Sequence, residues 1–304
     1  MKIVCFSAVA VRLTAFALLA TLLALPTLAQ ETNLSLPDLQ KLADAGDAQA
    51  QYKLACRYQK GDGVPQDLAK AVAVMRQSAG QGYAPAEGQL GYYYGAGIGV
   101  QTDPVEALQW YQKAADQGNA TAEYSLGYIY LAGRGTSKDM QQAIKWYRKA
   151  ADQDMVKAQF ALGELYFYGG QRGDTNINYT EAAKWYLKAA NHGDAKAMNN
   201  LGMMYDYGYG KPRDWKEAAN WYRQAAELGD AMAQGNLGTL YMDGRGVSND
   251  LVQAYVWFNL AAEKGNGTGR MYAMDFKSKN LLNSNQLAQA QQMVQAFHAS
   301  HPQL

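Results

Sequence analysis

Beyond the first 29 residues, this 304-residue chain holds three histidines, one cysteine, a handful of carboxylates among aromatics and several glycine-rich turns. A dinucleotide phosphate cradle needs Gly-x-Gly-x-x-Gly directly after a β-strand and opening a helix. Residues 95–100 read GAGIGV, with Val100 where the third glycine belongs, and the preceding LGYYY is not a β-branched run. No nucleotide is expected there. His192, His298 and His301 form neither a two-histidine helical spacing nor a Cys/His cluster, so no zinc site is expected. Glu164 and Asp206 are the two acids worth testing as a hydrolytic pair, and no motif supports them. Catalytic, cofactor and metal residues are therefore all expected to be none.

Cys56 sits where related segments carry Tyr92, Tyr128, Glu164, Met203 and Thr239. A position that variable suits a tolerated thiol, with an intermolecular disulfide as the alternative. Arg172-Gly173-Asp174 spells an adhesion tripeptide, although a glycine belongs in a turn there anyway. Sequons at Asn33, Asn119, Asn178 and Asn266 matter only in a host that glycosylates exported proteins.

The chain opens with Lys2 and Arg12, an uncharged run from Leu13 to Leu25, then Pro26 and the small-residue stretch ending at Ala29. This is the layout of a secretory signal cleaved near Ala29. The run is short of the roughly 20 apolar residues that span a bilayer, and an uncleaved anchor is the alternative. Residues 1–29 carry two basic residues and no acids, so their removal takes the net charge from +1 to 26 − 27 = −1. A near-neutral chain has no electrostatic footprint for nucleic acid. One thiol builds no disulfide framework, so stability must come from packing.

The elements that position these residues are repeats. Gly46, Gly82, Gly118, Asp154, Gly193, Gly229 and Gly265 recur every 36 residues, with one step of 39 after Asp154. Within each unit, Ala50, Ala86, Ala122, Ala158, Ala197 and Ala233 precede a leucine by four. Those leucines are Leu54, Leu90, Leu126, Leu162, Leu201 and Leu237. Four residues on come Tyr58, Tyr94, Tyr130, Tyr166, Tyr205 and Tyr241, and the i, i+4, i+8 spacing predicts one buried helical stripe. A second helix is predicted to start at Asp67, Asp103, Asp139, Asn178, Asp214 and Asp250 as N-caps, five of them with Glu or Gln three residues on, as in a capping box. Trp110, Trp146, Trp185, Trp221 and Trp257 follow, each with Tyr or Phe next and an Ala-Ala pair beyond. Lys145 and Lys149 read as a solvated outer face. The Gly-x-Gly turns join the two helices, because glycine closes helix C-termini at positive φ. A hairpin of this kind cannot bury its stripe alone, so six stack into a continuous core with capped ends.

The pattern A-x3-LG-x2-Y, G-x-G-V, D-x3-A-x2-WY-x-KAA-x2-G resembles the Sel-one-like repeat family, a relative of the tetratricopeptide repeats. ALQWYQKAADQG, AIKWYRKAADQD and AAKWYLKAANHG carry it almost verbatim. The resemblance implies an all-α fold, an α-solenoid forming a right-handed superhelix of helix-turn-helix repeats. Its six units would be 46–81, 82–117, 118–153, 154–192, 193–228 and 229–264, between capping segments 30–45 and 265–304. In the last segment Leu287, Ala290, Val294 and Phe297 form an apolar stripe. Departures are Val74-Met75 in place of Trp-Tyr, Asp154 in place of glycine, and the three-residue insertion.

The resemblance further implies a non-enzymatic adaptor, often exported to the bacterial envelope, periplasmic or secreted, binding a protein or peptide partner. Superposed on the tetratricopeptide motif, the groove-facing side of the first helices would carry Tyr52, Tyr92, Tyr124, Tyr128, Phe160, Phe167, Tyr168, Met203 and Tyr207, with Met232 and Met242. Aromatics and methionine are enriched at interfaces. A glycan or peptidoglycan binder is the alternative, with the same tyrosines stacking on sugar rings.

Overall fold

The computed structural model describes residues 34–169 and 177–303. The signal-like segment 1–29, Asn33 and the Arg172-Gly173-Asp174 tripeptide lie outside them. Fifteen helices and no strand occur among the described residues. They are α1 (Leu36–Asp44), α2 (Ala48–Lys60), α3 (Leu68–Gly80), α4 (Ala84–Ala96), α5 (Pro104–Asp116), α6 (Ala120–Ala132), α7 (Met140–Asp152), α8 (Val156–Tyr168), α9 (Tyr179–Asn191), α10 (Ala195–Tyr207), α11 (Trp215–Glu227), α12 (Ala231–Asp243), α13 (Leu251–Glu263), α14 (Gly267–Ser278) and α15 (Ser284–Ser300). Six hairpins, α2–α3 through α12–α13, each pack on the next. α1 covers one end, and α14 and α15 both pack on α13 at the other. Every hairpin helix has 13 residues, so the irregular 39-residue step falls in the α8–α9 connection and leaves both helices intact.

The small residue after each repeated leucine admits a ring. Tyr147 is 3 % exposed and lies over Gly127, where an added Cβ would come within 2.5 Å of it. Tyr111 over Gly91, Tyr186 over Gly163, Tyr222 over Gly202 and Phe258 over Gly238 repeat the arrangement. The expected Ala-Leu-Tyr stripe needs correction at its last member. Tyr94, Tyr130, Tyr166, Tyr205 and Tyr241 are only half-buried, and the position one residue earlier holds the core: Tyr93, Ile129, Leu165, Met204 and Leu240. Three residues past the leucine lies 60° to one side of it and four residues 40° to the other, so helical angle alone does not choose between them; the packed partner helix covers the first flank. The half-buried tyrosines act between units instead, where Arg76, Arg148 and Arg223 donate to the hydroxyls of Tyr94, Tyr166 and Tyr241 at 2.8, 2.7 and 3.2 Å.

All six predicted N-caps form, with side-chain oxygens accepting from the third helical amide at 2.8–3.1 Å. The reciprocal half of the capping box does not form there. The N-cap amides of Asp67, Asp103, Asp139, Asn178, Asp214 and Asp250 already donate to the carbonyl of the repeated tyrosine of their own unit, closing each hairpin at 2.8–3.0 Å. A complete box occurs at Asn283 and Gln286. Lys149 is likewise not a merely solvated residue, because its ammonium stands 4.3 Å above the Trp146 ring. Lys113 and Lys188 repeat this over Trp110 and Trp185.

Asp154 adopts φ 59°, the left-handed conformation its six glycine counterparts adopt at 78–94°. Asp154→Gly should therefore stabilise the protein by about 0.5–1 kcal/mol, part of the steric gain being offset by glycine's greater unfolded-state freedom. A denaturant midpoint that fails to rise would contradict this.

The turns between hairpins carry a buried polar pair. Gln117 donates to Glu87 at 2.8 Å, Gln153 to Glu123 at 2.7 Å, and Gln81 to Gln51 at 2.8 Å. Burial raises the carboxyls of Glu87 and Glu123, opposed by the glutamine amide and by Lys113 or Lys149. An acid raised in the folded state holds its proton after the unfolded chain has lost it, so stability falls as pH climbs from the ordinary glutamate range. Glu123→Gln, which recreates the Gln51–Gln81 pair, should raise the melting temperature at pH 7 and leave it unchanged near pH 4. An equal shift at both values would contradict the burial account.

Candidate functional site: the first-helix face

Among the first helices, α10 meets α12, and α12 reaches α14. The first helices thus share one side of the stack. Along that face run positions two before, two after and six after the repeated leucine, which are i, i+4 and i+8 on one helix. Tyr92, Tyr128, Tyr168 and Tyr207 lie there and are 47, 45, 57 and 57 % exposed. Met232, at the start of α12, is also exposed, and the Asn266 amide donates to its sulfur at 3.2 Å.

The other expected residues are less open. Tyr52 meets the Tyr83 ring at 5.6 Å, Tyr124 meets Tyr147 at 5.3 Å and Phe160 meets Tyr186 at 5.8 Å, all three half-buried. Met203 and Met242 pack against the core. Phe167 is a correction: it is buried, with the rings of Tyr168, Tyr179 and Tyr209 at 4.8, 5.2 and 5.5 Å. Five residues past the leucine a side chain points at the next unit's turn and not into the groove. Phe167 therefore supports Tyr168 from behind.

Between α4, α5 and α6 the face opens into a cavity of about 530 Å³. Tyr92, Tyr111, Tyr124 and Tyr128 wall it, Thr102 and Ser125 add hydroxyls, and Arg134 is the single charged residue of its lining. The Arg134 guanidinium stands 5.2 Å over the Tyr128 ring. Gly95, Thr102 and Arg134 were not among the residues expected from sequence, since neither glycine nor a turn arginine breaks the repeat pattern.

Toward the other end the face becomes polar. The Asn236 amide donates to Asn199 at 3.0 Å, Asn199 to Asn200 at 3.4 Å and Asn200 to Glu164 at 2.9 Å. The Tyr186 hydroxyl donates to the same Glu164 oxygen at 2.6 Å. Asp206 is buried and ion-paired with Arg245 at 3.2 Å; burial raises its carboxyl and Arg245 opposes the rise. Both acids weighed for hydrolysis thus have structural partners. Cys56 is half-buried, and burial pushes its thiol up, away from the reactive thiolate. His192 lies 3.7 Å from Asp154 on the surface. Among the described residues no group of three or more His, Cys, Asp or Glu could hold a metal, and no helix is long and apolar enough to cross a membrane.

The Gly-x-Gly turns serve packing between units. Added Cβ atoms at Gly99 and Gly135 would overlap the carbonyls of Leu68 and Pro104, at the start of the preceding unit's second helix. Both glycines also have positive φ, 66° and 71°. The stretch 95–100 therefore marks where one unit's turn seats on the backbone of the unit before.

Comparisons with known proteins agree with this architecture. The Sel1 repeat profile matches six times, at 48–83, 84–119, 120–155, 156–194, 195–230 and 231–266, each bound two residues later than the units read from the glycine spacing. No curated protein gives a match. A protective antigen of uropathogenic Escherichia coli strains, displaying an SLR fold, is 37 % identical over 83 % of this chain, with a TM-score of 0.79. This chain spans 53 % of that antigen's length. A Sel1 repeat protein from Oxalobacter formigenes is 36 % identical over 74 % of this chain and 87 % of its own, with a TM-score of 0.64.

Proposed function

The chain belongs to the Sel1-repeat family of helical, non-enzymatic protein-interaction scaffolds, and from that premise we propose that it is an exported scaffold holding a polypeptide partner on its concave aromatic face. The observation that carries the reading is the exposure of Tyr92, Tyr128, Tyr168 and Tyr207 along one stripe of the first-helix side. Large rings left in water on a rigid concave surface are what interface anchors look like before binding. Export rests on the signal-like composition of residues 1–29.

Sugar stacking would also use exposed tyrosines together with amides that meet hydroxyls, and here Asn199, Asn200 and Asn236 already bond to one another and to Glu164. The cavity among Tyr92, Tyr124 and Tyr128 suits an apolar side chain. Tyr128→Ala and Tyr168→Ala should leave the melting temperature nearly unchanged and weaken partner capture by about 2 kcal/mol each, the scale of an interface anchor. Full retention of the partner by both variants would place the binding surface elsewhere, and capture of envelope glycan in place of protein would favour the alternative.

A further inference from the structure

In the fifth and sixth units the turn presents its middle residue, the x of Gly-x-Gly, toward the residue five past the leucine in the unit before. Tyr209 meets Phe167 there at 5.5 Å between ring centres, and Arg245 meets Asp206 at 3.2 Å. Arg134 is the counterpart of Arg245, in the same Gly-Arg-Gly turn, and 39 residues before it, as Asp206 precedes Arg245, stands Gly95. The second of these arginines therefore has a carboxylate and the first has open space.

That space is not demanded by packing. An added Cβ at Gly95 would meet Ala107 at an ordinary 3.7 Å, and the backbone there is helical. The Arg134 side chain is exposed and, among the described residues, makes no hydrogen bond or ion pair, only its contact with the Tyr128 ring. Gly95 and Arg134 line the same cavity, whose walls are otherwise uncharged. A cation fixed at the mouth of an apolar recess favours a ligand with an anion and a neighbouring apolar group, since charge-assisted bonds to guanidinium are stronger than neutral ones.

We infer that the cavity binds a carboxylate of the partner polypeptide on Arg134, in the place Asp206 takes on Arg245, with an adjoining apolar side chain lodged among Tyr92, Tyr124 and Tyr128. This rests on the concave face being the binding surface. The carboxylate belongs either to a chain terminus or to an Asp or Glu side chain, and the two sources separate by experiment.

The test uses the full chain and three fluorescent pools of short peptides containing Leu or Phe: a free C-terminus without Asp or Glu, an amidated C-terminus with one Glu, and an amidated C-terminus without acids. One of the first two should bind at least about tenfold more tightly than the third, and Arg134→Gln should remove that advantage. The advantage should also shrink with added salt. Gly95→Asp supplies the carboxylate internally, so it should abolish binding while holding or raising the melting temperature. Gly95→Asn adds the same bulk without charge and should retain more binding than Gly95→Asp. Equal binding of all three pools, still sensitive to Tyr128→Ala, would overturn the carboxylate and leave the concave face standing. Equal loss in Gly95→Asp and Gly95→Asn would also overturn it. No binding by any pool, or binding indifferent to Tyr128→Ala, would overturn the concave face as well.

Discussion

Tyr186→Ala should lower the unfolding free energy by about 3–5 kcal/mol, the cost of deleting a large buried aromatic. Tyr186 is fully buried, lies over Gly163 and donates to Glu164, so truncation opens a cavity and removes one of the bonds that hold that carboxylate. Tyr166→Ala should cost only about 1–2 kcal/mol, because that ring is only partly buried and its main specific tie is the bond from Arg148. Urea unfolding of the two variants side by side checks the ordering. Equal midpoints would restore the stripe read from the sequence, with Tyr166 as core.

Gly135→Ala and Gly246→Ala should each cost about 2–4 kcal/mol, because both combine positive φ with overlap on backbone that cannot swing aside. The obstacles are the carbonyls of Pro104 and Trp215, each opening the second helix of the unit before. Gly63 has the same φ, 70°, but no unit packs beneath its turn and nothing lies within 4 Å of an added Cβ, so Gly63→Ala should cost only about 1 kcal/mol. Thermal melts of the three variants separate backbone strain from seating between units. Equal losses at 63 and 135 would mean that seating contributes nothing.

The fold was legible because repetition amplified weak signals: one Leu-Gly pair says little, but five of them and Leu54-Ala55, at steps of 36 residues with a single 39, fix a helix, its partner and the turn between them. The N-caps were readable for the same reason. The core position occupied by Tyr93, Ile129, Leu165, Met204 and Leu240 was not, because residue type varies there while the half-buried tyrosine beside it is constant. Constancy reflected the tyrosine's ties between units and the carbonyl that receives each N-cap amide. On the first-helix side the exposure of Tyr92, Tyr128, Tyr168 and Tyr207 was anticipated and Phe167 was misplaced, since a single helix cannot reveal that the next unit's turn covers one edge. Arg134 and Gly95 stayed hidden because their meaning appears only when two units are compared with Asp206 and Arg245.

The claim that polypeptide is held on the concave first-helix face is tested most directly by photo-crosslinking in cells producing the full chain, with benzoylphenylalanine placed singly at Tyr92, Tyr128 or Tyr207, and at Lys145 or Lys184 on the second helices. All five positions are exposed. Irradiation should join a polypeptide to the chain from the three tyrosine positions and from neither lysine position. Adducts from Lys145 and Lys184 with none from the tyrosine positions would contradict the account and move the binding surface to the outer face.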